Sequence, residues 1–418
     1  MADVLRTYAA RVRQFSPNAR LYLVSTILTG AALGVYRLLF NFYALSLGMN
    51  EGDLGEFITI NSMSALIVAL PMGYLADFLG RKKSLIIGAG VVAFAIAAMV
   101  FWPSKWMFIV MNIVMGTAQS LSAVSMAPFL IENSDEEERT YLFSLSSGAQ
   151  MTAAFIGNAV GGNLPTWIAS RQGVSPTSSV AYAGALGIIA AASILAILPL
   201  FSMRTPRLKK TQRSLFAPFS YAAKQPALLG KLIIPMLITS IGAGLFMPFM
   251  NVFFRVAYHQ SDPIIGNVLA WGALAMGIGL LIAPPIADRI GKIQLVVITQ
   301  GLSIPFLALL GYAPWFWISG LAYYIRLALM NMSGPIYQTF VMEHVEPSAR
   351  ATVASLVSMA NSFGWAFSPS ISGWLQVKYG FGPVFLGVII LYTISVFLYW
   401  KFFWFVKPAP TASPAPAD

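Results

Sequence analysis

The sequence predicts an all-α integral membrane protein, with twelve transmembrane helices in two pseudo-symmetric six-helix bundles. Three observations predict it. Hydrophobic residues make up 57% of the 418-residue chain and charged residues 10%, where a soluble domain carries roughly 25% charged. Continuous apolar runs of about 20 residues recur, long enough to cross a hydrocarbon core as helices, and they lack the alternation of barrel strands. A shift of 211 superposes one half on the other, aligning Gly55 with Gly266, Asp77 with Asp288, Gly80 with Gly291, Phe129 with Phe340, Glu132 with Glu343, Arg139 with Arg350 and Gly162 with Gly373. A fixed offset kept over so long a stretch marks a tandem repeat of two like halves.

The spans fall near 20–47, 54–78, 84–102, 106–131, 141–167 and 180–201 in the first half, and near 230–255, 264–287, 293–311, 315–342, 349–376 and 382–406 in the second. The expected organisation is an N-terminal bundle with a cytoplasmic lead-in (1–201), a basic, Pro-containing cytoplasmic linker (202–229), a C-terminal bundle (230–407) and a disordered Pro/Ala tail (408–418). The N-terminal segment has basic residues but no short apolar core with a cleavage site, so it is not taken as a signal peptide. There is no cysteine, hence no disulfide and no thiol chemistry.

The net charge of +11 does not point to nucleic acid, because the charges sit in short loops between apolar runs. With both termini placed inside, Lys105, Arg171, Arg255 and Lys378 fall outside, Arg37 and Arg326 fall within spans, and the other 20 of the 26 Lys and Arg are cytoplasmic. That asymmetry sets the orientation and a cell (inner or plasma) membrane location.

The loop after the second span reads GYLADFLGRKK, from Gly73 to Lys83. It resembles the G-x-x-x-D-[RK]-x-G-[RK]-[RK] motif of the major facilitator superfamily of secondary transporters. Gly73, Asp77, Gly80, Arg81, Lys82 and Lys83 match, and Phe78 stands where a base is usual. In the second half Asp288, Arg289, Gly291 and Lys292 match, while Pro284 replaces the first glycine. The resemblance covers about residues 20–406 and implies alternating access around a central site lined by spans 1, 4, 7 and 10. The glycines allow a tight turn. Asp77, Arg81 and Asp288, with the repeated pairs Glu132/Arg139 and Glu343/Arg350, are expected to form a charge network that breaks and reforms as the halves rock. The fifth span keeps Gly148, Gly157 and Gly161 in a spacing that resembles the antiporter motif of drug exporters, but Gly162 stands where a proline is usual. Close packing through small residues is the favoured reading there. The arginine expected four residues before Gly116 in drug:proton antiporters is Asn112 here, which counts against proton-driven drug export.

No acid lies in mid-span, so no mid-membrane proton relay is evident; Glu56, at the start of the second span, is the first candidate for proton coupling. The embedded charges are Arg37, about 17 residues or roughly 25 Å into the first span, and Arg326, about 11 residues or roughly 17 Å into the tenth. A buried guanidinium costs several kcal/mol unless paired, so each is a candidate site residue. Two arginines facing one cavity with no carboxylate at that depth would take an anionic group; the opposing reading makes both structural. Tyr36, Asn41, Gln119, Asn251, Tyr323 and Asn331 complete a mixed polar and aromatic candidate pocket, with Asn61 and Trp365 as further lining. No phosphate loop, metal-ligand spacing or catalytic triad is evident, so no enzyme and no cofactor are expected. The predicted function is secondary active transport of a small organic solute, anionic or amphiphilic, by a monomer. A multidrug-type proton antiporter and a sugar-type transporter remain as alternatives.

Overall fold

The computed structural model describes residues 15–203, 225–345 and 350–405. In the first half the helices are α1 (Pro17–Ser46), α2 (Glu51–Ile67), α3 (Ala69–Leu79), α4 (Arg81–Phe101), α5 (Lys105–Glu132), α6 (Glu136–Gln172), α7 (Ser179–Leu195) and the short α8 (Leu198–Phe201). The second half contains α9 (Pro226–Phe246), α10 (Met250–Tyr258), α11 (Asp262–Ile290), α12 (Lys292–Tyr312), α13 (Phe316–Glu343), α14 (Arg350–Tyr379) and α15 (Phe381–Phe403).

Two predicted spans are broken, each at a proline. The second splits into α2 and α3, bent by 58°; Pro71 has no N–H, and its ring clashes with the carbonyl of residue i−4, Ile67, where α2 ends. The seventh splits into α9 and α10 around a 3-10 turn at Met247–Phe249 that contains Pro248. Eight helical spans are long and apolar enough to cross a membrane by length and composition, and the bent α2–α3 pair is a ninth. The three more, α6, α13 and α14, are 37, 28 and 30 residues long and richer in polar residues, which brings the total to twelve. Exposed Trp102, Trp106, Trp315 and Trp317 cluster at the ends of α4 and α12 and the starts of α5 and α13, the placement of an interfacial aromatic belt.

The repeat is visible in the helix ends. Both α4 and α12 have 21 residues and both α5 and α13 have 28, with starts and ends related by the 211 shift. Gly80 and Gly291 adopt the same left-handed turn (φ 87°, ψ 151° and φ 98°, ψ 149°), each ending one helix and starting the next. A side chain is strained at that φ, so these glycines are required by the turn. Gly73, by contrast, lies within α3 with open space where a Cβ would go.

Glycines also set how the bundles meet. A Cβ on Gly55 of α2 would strike the Pro369 carbonyl of α14, and one on Gly373 of α14 the Glu51 carbonyl of α2. The repeat-related seam joins α11 to α6: a Cβ on Gly266 would lie 2.6 Å from the Asn158 oxygen, and one on Gly162 2.6 Å from the Asp262 oxygen. All four contacts obey the 211 shift, since Asn158 and Glu51 map onto Pro369 and Asp262. These seams crowd one end of the molecule, the far end, opposite the Gly80 and Gly291 loops. There a single apolar core joins both halves, including Leu38, Phe42, Phe57 and Phe108 with Phe249, Phe254, Leu310 and Phe385. Toward the loop end it divides into two separate cores, one per half. Among the described residues, the bundles are therefore closed on each other at the far end and parted at the loop end.

Candidate functional site: a cavity centred on Arg37

Where the common core ends, a cavity of about 520 Å³ opens between the halves. The first half supplies Tyr36, Arg37, Asn41, Asn61, Asn112, Gln119 and Asn158; the second supplies Met247, Pro248, Asn251, Met276, Tyr323 and Leu327, with Trp365. A second cavity of about 690 Å³ runs from it toward the loop end, as far as Tyr22, Leu85 and Leu200. The two share Leu33, Arg37, Gln119, Asn158 and Met276, so Arg37 stands where they join.

Arg37 reaches that junction because α1 and α6 touch backbone to backbone. A Cβ on Gly157 would lie 2.5 Å from the Ala31 carbonyl and 3.0 Å from the Gly34 Cα, and Gly161 sits against Val35 and Leu38. Small residues thus do the packing at two of the three glycines singled out on the fifth span; nothing approaches the third, Gly148. With no side chain between the helices at Gly34 and Gly157, Arg37, one turn after Gly34, and Asn158, next to Gly157, emerge into the cavity. Arg37 is exposed to it, and among the described residues it has no hydrogen-bond or ion-pair partner. Gln119 and Asn158 have none either, so three strong polar groups of the junction are unspent. Among the described residues, no Asp or Glu lines either cavity.

The far wall of the cavity is a reciprocal clasp. The Asn41 Nδ2 donates to the Pro248 carbonyl at 2.9 Å and to Asn251 Oδ1 at 3.0 Å. Asn251 Nδ2 donates to the Leu38 carbonyl at 2.7 Å. Each asparagine thus caps the carbonyl three residues before the other, as a two-fold axis between the halves requires. Both were expected to contact solute; both line the cavity, and the structure adds that their amides also bond across the bundle interface.

The sequence profile of the Major Facilitator Superfamily matches residues 22–369 and 232–418. The chain belongs to the Major Facilitator Superfamily. It is 24% identical over 389 residues to the multidrug resistance protein MdtG of Proteus mirabilis (strain HI4320), covering 89% of this chain and 93% of that one. The MdtG of Serratia proteamaculans (strain 568) is 23% identical over 417 residues, covering 96% and 97%. Among solved structures, an aspartate-to-alanine mutant of the nucleoside transporter NupG aligns with a TM-score of 0.77 at 14% identity, over 92% of this chain and all (100%) of that one. A D-xylose–proton symporter aligns with a TM-score of 0.71 at 15% identity, over 92% and 97%. The protein is accordingly a multi-pass membrane transporter, and the predicted twelve-helix, two-bundle architecture is that of its family.

The other residues singled out in this superfamily member divide clearly. Tyr36, Gln119 and Tyr323 line the cavity as expected. Arg326 does not. Its side chain is 2% exposed and turns into the second bundle, with its guanidinium carbon 4.5 Å from the Phe246 ring centroid and 5.1 Å from that of Tyr392. The picture of two arginines facing one cavity is therefore corrected to one. Asn331 lines neither cavity, because its Nδ2 donates at 2.8 Å to the Leu327 carbonyl one turn back on α13. Glu56 lies at the far end beside Lys105, 3.1 Å from its Nζ, which also holds Asp53 at 2.6 Å. That half-exposed surface cluster lines neither cavity.

The loop charges pair within each half. Arg81 bonds Asp77 at 2.5 Å and Glu132 at 3.4 Å, and the repeat-related Lys292 bonds Glu343. Each base thus ties its loop to the end of its bundle's fourth span. Asp288 is exposed; the side chains of Arg139 and Arg350, the linker from 204 to 224 and the tail from 406 lie outside the described residues. Sequence reasoning passed over Asn158, whose only signal is that it follows a glycine at the α1–α6 contact. It also passed over a pairing of buried Tyr182 and Asp262 with half-buried Arg255 at the far end.

Proposed function

We propose that this protein is an exporter of amphiphilic organic anions, with Arg37 holding the anionic group. The observation that carries this is a guanidinium that, among the described residues, has no hydrogen-bond or ion-pair partner and faces a cavity whose lining contains no carboxylate. In such a site an anion gains a charge-assisted bidentate contact, while a lipophilic cation meets only repulsion. Gln119 and Asn158 supply further donors beside Arg37. Met115, Met247, Met250, Met276, Tyr323 and Trp365 supply a soft apolar surface that adapts to varied shapes. The names of the MdtG relatives support export of more than one compound.

The Lys and Arg asymmetry makes the loop end cytoplasmic, in an inner or plasma membrane with both termini inside. The state described is then inward-facing, with the far end closed, and the cycle rocks the bundles about the cavity. We take the organisation as bundles at 1–201 and 230–407, a linker at 202–229, a tail at 408–418, and a monomer as the working unit. The Lys82 Nζ, bonded to the Phe201 and Met203 carbonyls, anchors the chain where it leaves the first bundle for that linker.

The experiment is equilibrium binding to purified protein in nanodiscs, with taurocholate as anionic amphiphile, tetraphenylphosphonium as lipophilic cation and glucose as neutral solute. Taurocholate is expected to bind, and Arg37→Ala to weaken it by roughly tenfold or more, as for loss of a charged hydrogen bond; Arg37→Lys should recover part of the loss. Preference for tetraphenylphosphonium, or taurocholate binding unaffected by Arg37→Ala, overturns the proposal.

A further inference from the structure

At the far end, three polar side chains from both bundles close around one another. Asp262, in the first turn of α11, is 5% exposed and the one buried carboxylate among the described residues. Its Oδ1 pairs with Arg255 Nη2 from α10. Its Oδ2 accepts the hydroxyl of Tyr182 from α7, in the other bundle, at 2.7 Å. Arg255 Nη2 also donates to the Tyr182 oxygen at 2.8 Å, and its guanidinium carbon lies 3.3 Å over the Phe42 ring of α1. Among the described residues, no other charged or titratable side chain bonds to Asp262. The neighbouring elements present Phe42 from α1 and the backbone at Gly162 from α6, whose missing Cβ lets the helix lie against the Asp262 carbonyl.

We propose that Asp262 is the proton-binding site of the transporter, and that its protonation releases the far-end closure. Ionised, the carboxylate accepts from both bundles at once, so its charge holds the halves together. Protonated, it loses the Arg255 ion pair and becomes a donor that can no longer accept the Tyr182 hydroxyl on equal terms. Arg255, half-buried, is left uncompensated over Phe42, and a partly desolvated unpaired charge is relieved by opening to water. Because the ionised carboxylate holds the closed state and the protonated one does not, proton uptake and opening are linked and each promotes the other. The proposal concerns the coupling ion and is independent of the solute.

The test uses the absence of native cysteine. Gln172→Cys at the end of α6 and Lys378→Cys at the end of α14, both exposed, take spin labels on opposite bundles of the full-length chain in nanodiscs. Inter-label distances are then measured from pH 8 to pH 5, with the proton as the only ligand. The long-distance population is expected to grow by roughly tenfold or more on acidification, the scale of losing one partner of a buried pair. Asp262→Asn, which mimics the neutral acid, should hold the open population at both pH values. Tyr182→Phe, a milder change, should move the transition to higher pH, because it removes a donor to the ionised form. Glu56→Gln should leave the response as it is. Three results overturn the proposal: distances independent of pH in the unmodified background, a pH response that survives in Asp262→Asn, or one abolished by Glu56→Gln.

Discussion

The reciprocal Asn41–Asn251 clasp gives the most quantitative expectation for how the far end opens. Replacing Asn251 by Ala removes its bond to the Leu38 carbonyl and the one it accepts from Asn41, leaving Asn41 bonded to Pro248. Each buried neutral hydrogen bond contributes about 1 kcal/mol net, so the closed state loses about 2 kcal/mol, roughly thirtyfold in the ratio of closed to open. Asn41→Ala also removes two of the three bonds and should cost the same. The double variant removes all three and should cost about 3 kcal/mol where simple addition gives about 4, a coupling of about 1 kcal/mol from the shared bond. The assay is labelling of a single thiol, Met247→Cys, which lines the cavity next to Pro248, whose carbonyl is part of the clasp. An impermeant maleimide added outside intact cells reaches it only when the far end is open. Its labelling rate should rise by roughly tenfold to thirtyfold in Asn251→Ala or Asn41→Ala, and in the double variant by less than the product of the two. An unchanged rate in Asn251→Ala, with the thiol still labelled by a permeant maleimide, refutes the assignment of the clasp to closure.

Other expectations follow from contacts at single residues. Gly266→Val places a branched side chain where even a Cβ lies 2.6 Å from the Asn158 oxygen; transport should be lost and the same Met247 thiol should become reactive from outside, while expression persists. Arg326→Met should leave taurocholate binding unchanged within about twofold, and thermal stability should not fall, because the guanidinium's Nε and Nη2 are buried without hydrogen-bond partners and replacing a buried charge by an apolar group is often neutral or stabilising. Arg81→Met, which breaks the pairs with Asp77 and Glu132 at the loop end, should lower stability in a detergent melt by about 1 kcal/mol or less, as for exposed ion pairs.

What the sequence shows and what it hides follow one physical division. Features that the two halves share are legible, because the repeat doubles their signal. Gly55, Gly162, Gly266 and Gly373 stood out under the 211 shift, and they are the residues at which the bundles touch. Gly80 and Gly291 did as well, because each must hold a left-handed turn. Arg326 was misplaced for a different reason. The residues next to it, within 321–330, are apolar or aromatic on every side, so no stripe says which face meets the cavity; Tyr323 and Leu327 take that face, and Arg326, the residue before Leu327, turns inward among Phe246 and Tyr392. The far-end trio was hidden for a third reason: it breaks the repeat. Under the shift Asp262 corresponds to Glu51, a partly exposed residue at the start of α2, while Arg255 corresponds to Ala44 and Tyr182 to Thr393. Nothing in the first half mirrors the trio, so self-comparison passes over it, and Asp262 and Arg255 look like ordinary outer-loop charges until Tyr182 arrives from the other bundle. That asymmetry is itself informative. A seam needed only to let two bundles rock is served by symmetric glycines and a symmetric clasp. A buried carboxylate, cation and hydroxyl on one side of the axis alone add a charge to one seam and none to its mate, so a proton can bias closure without altering the hinge on which both halves turn.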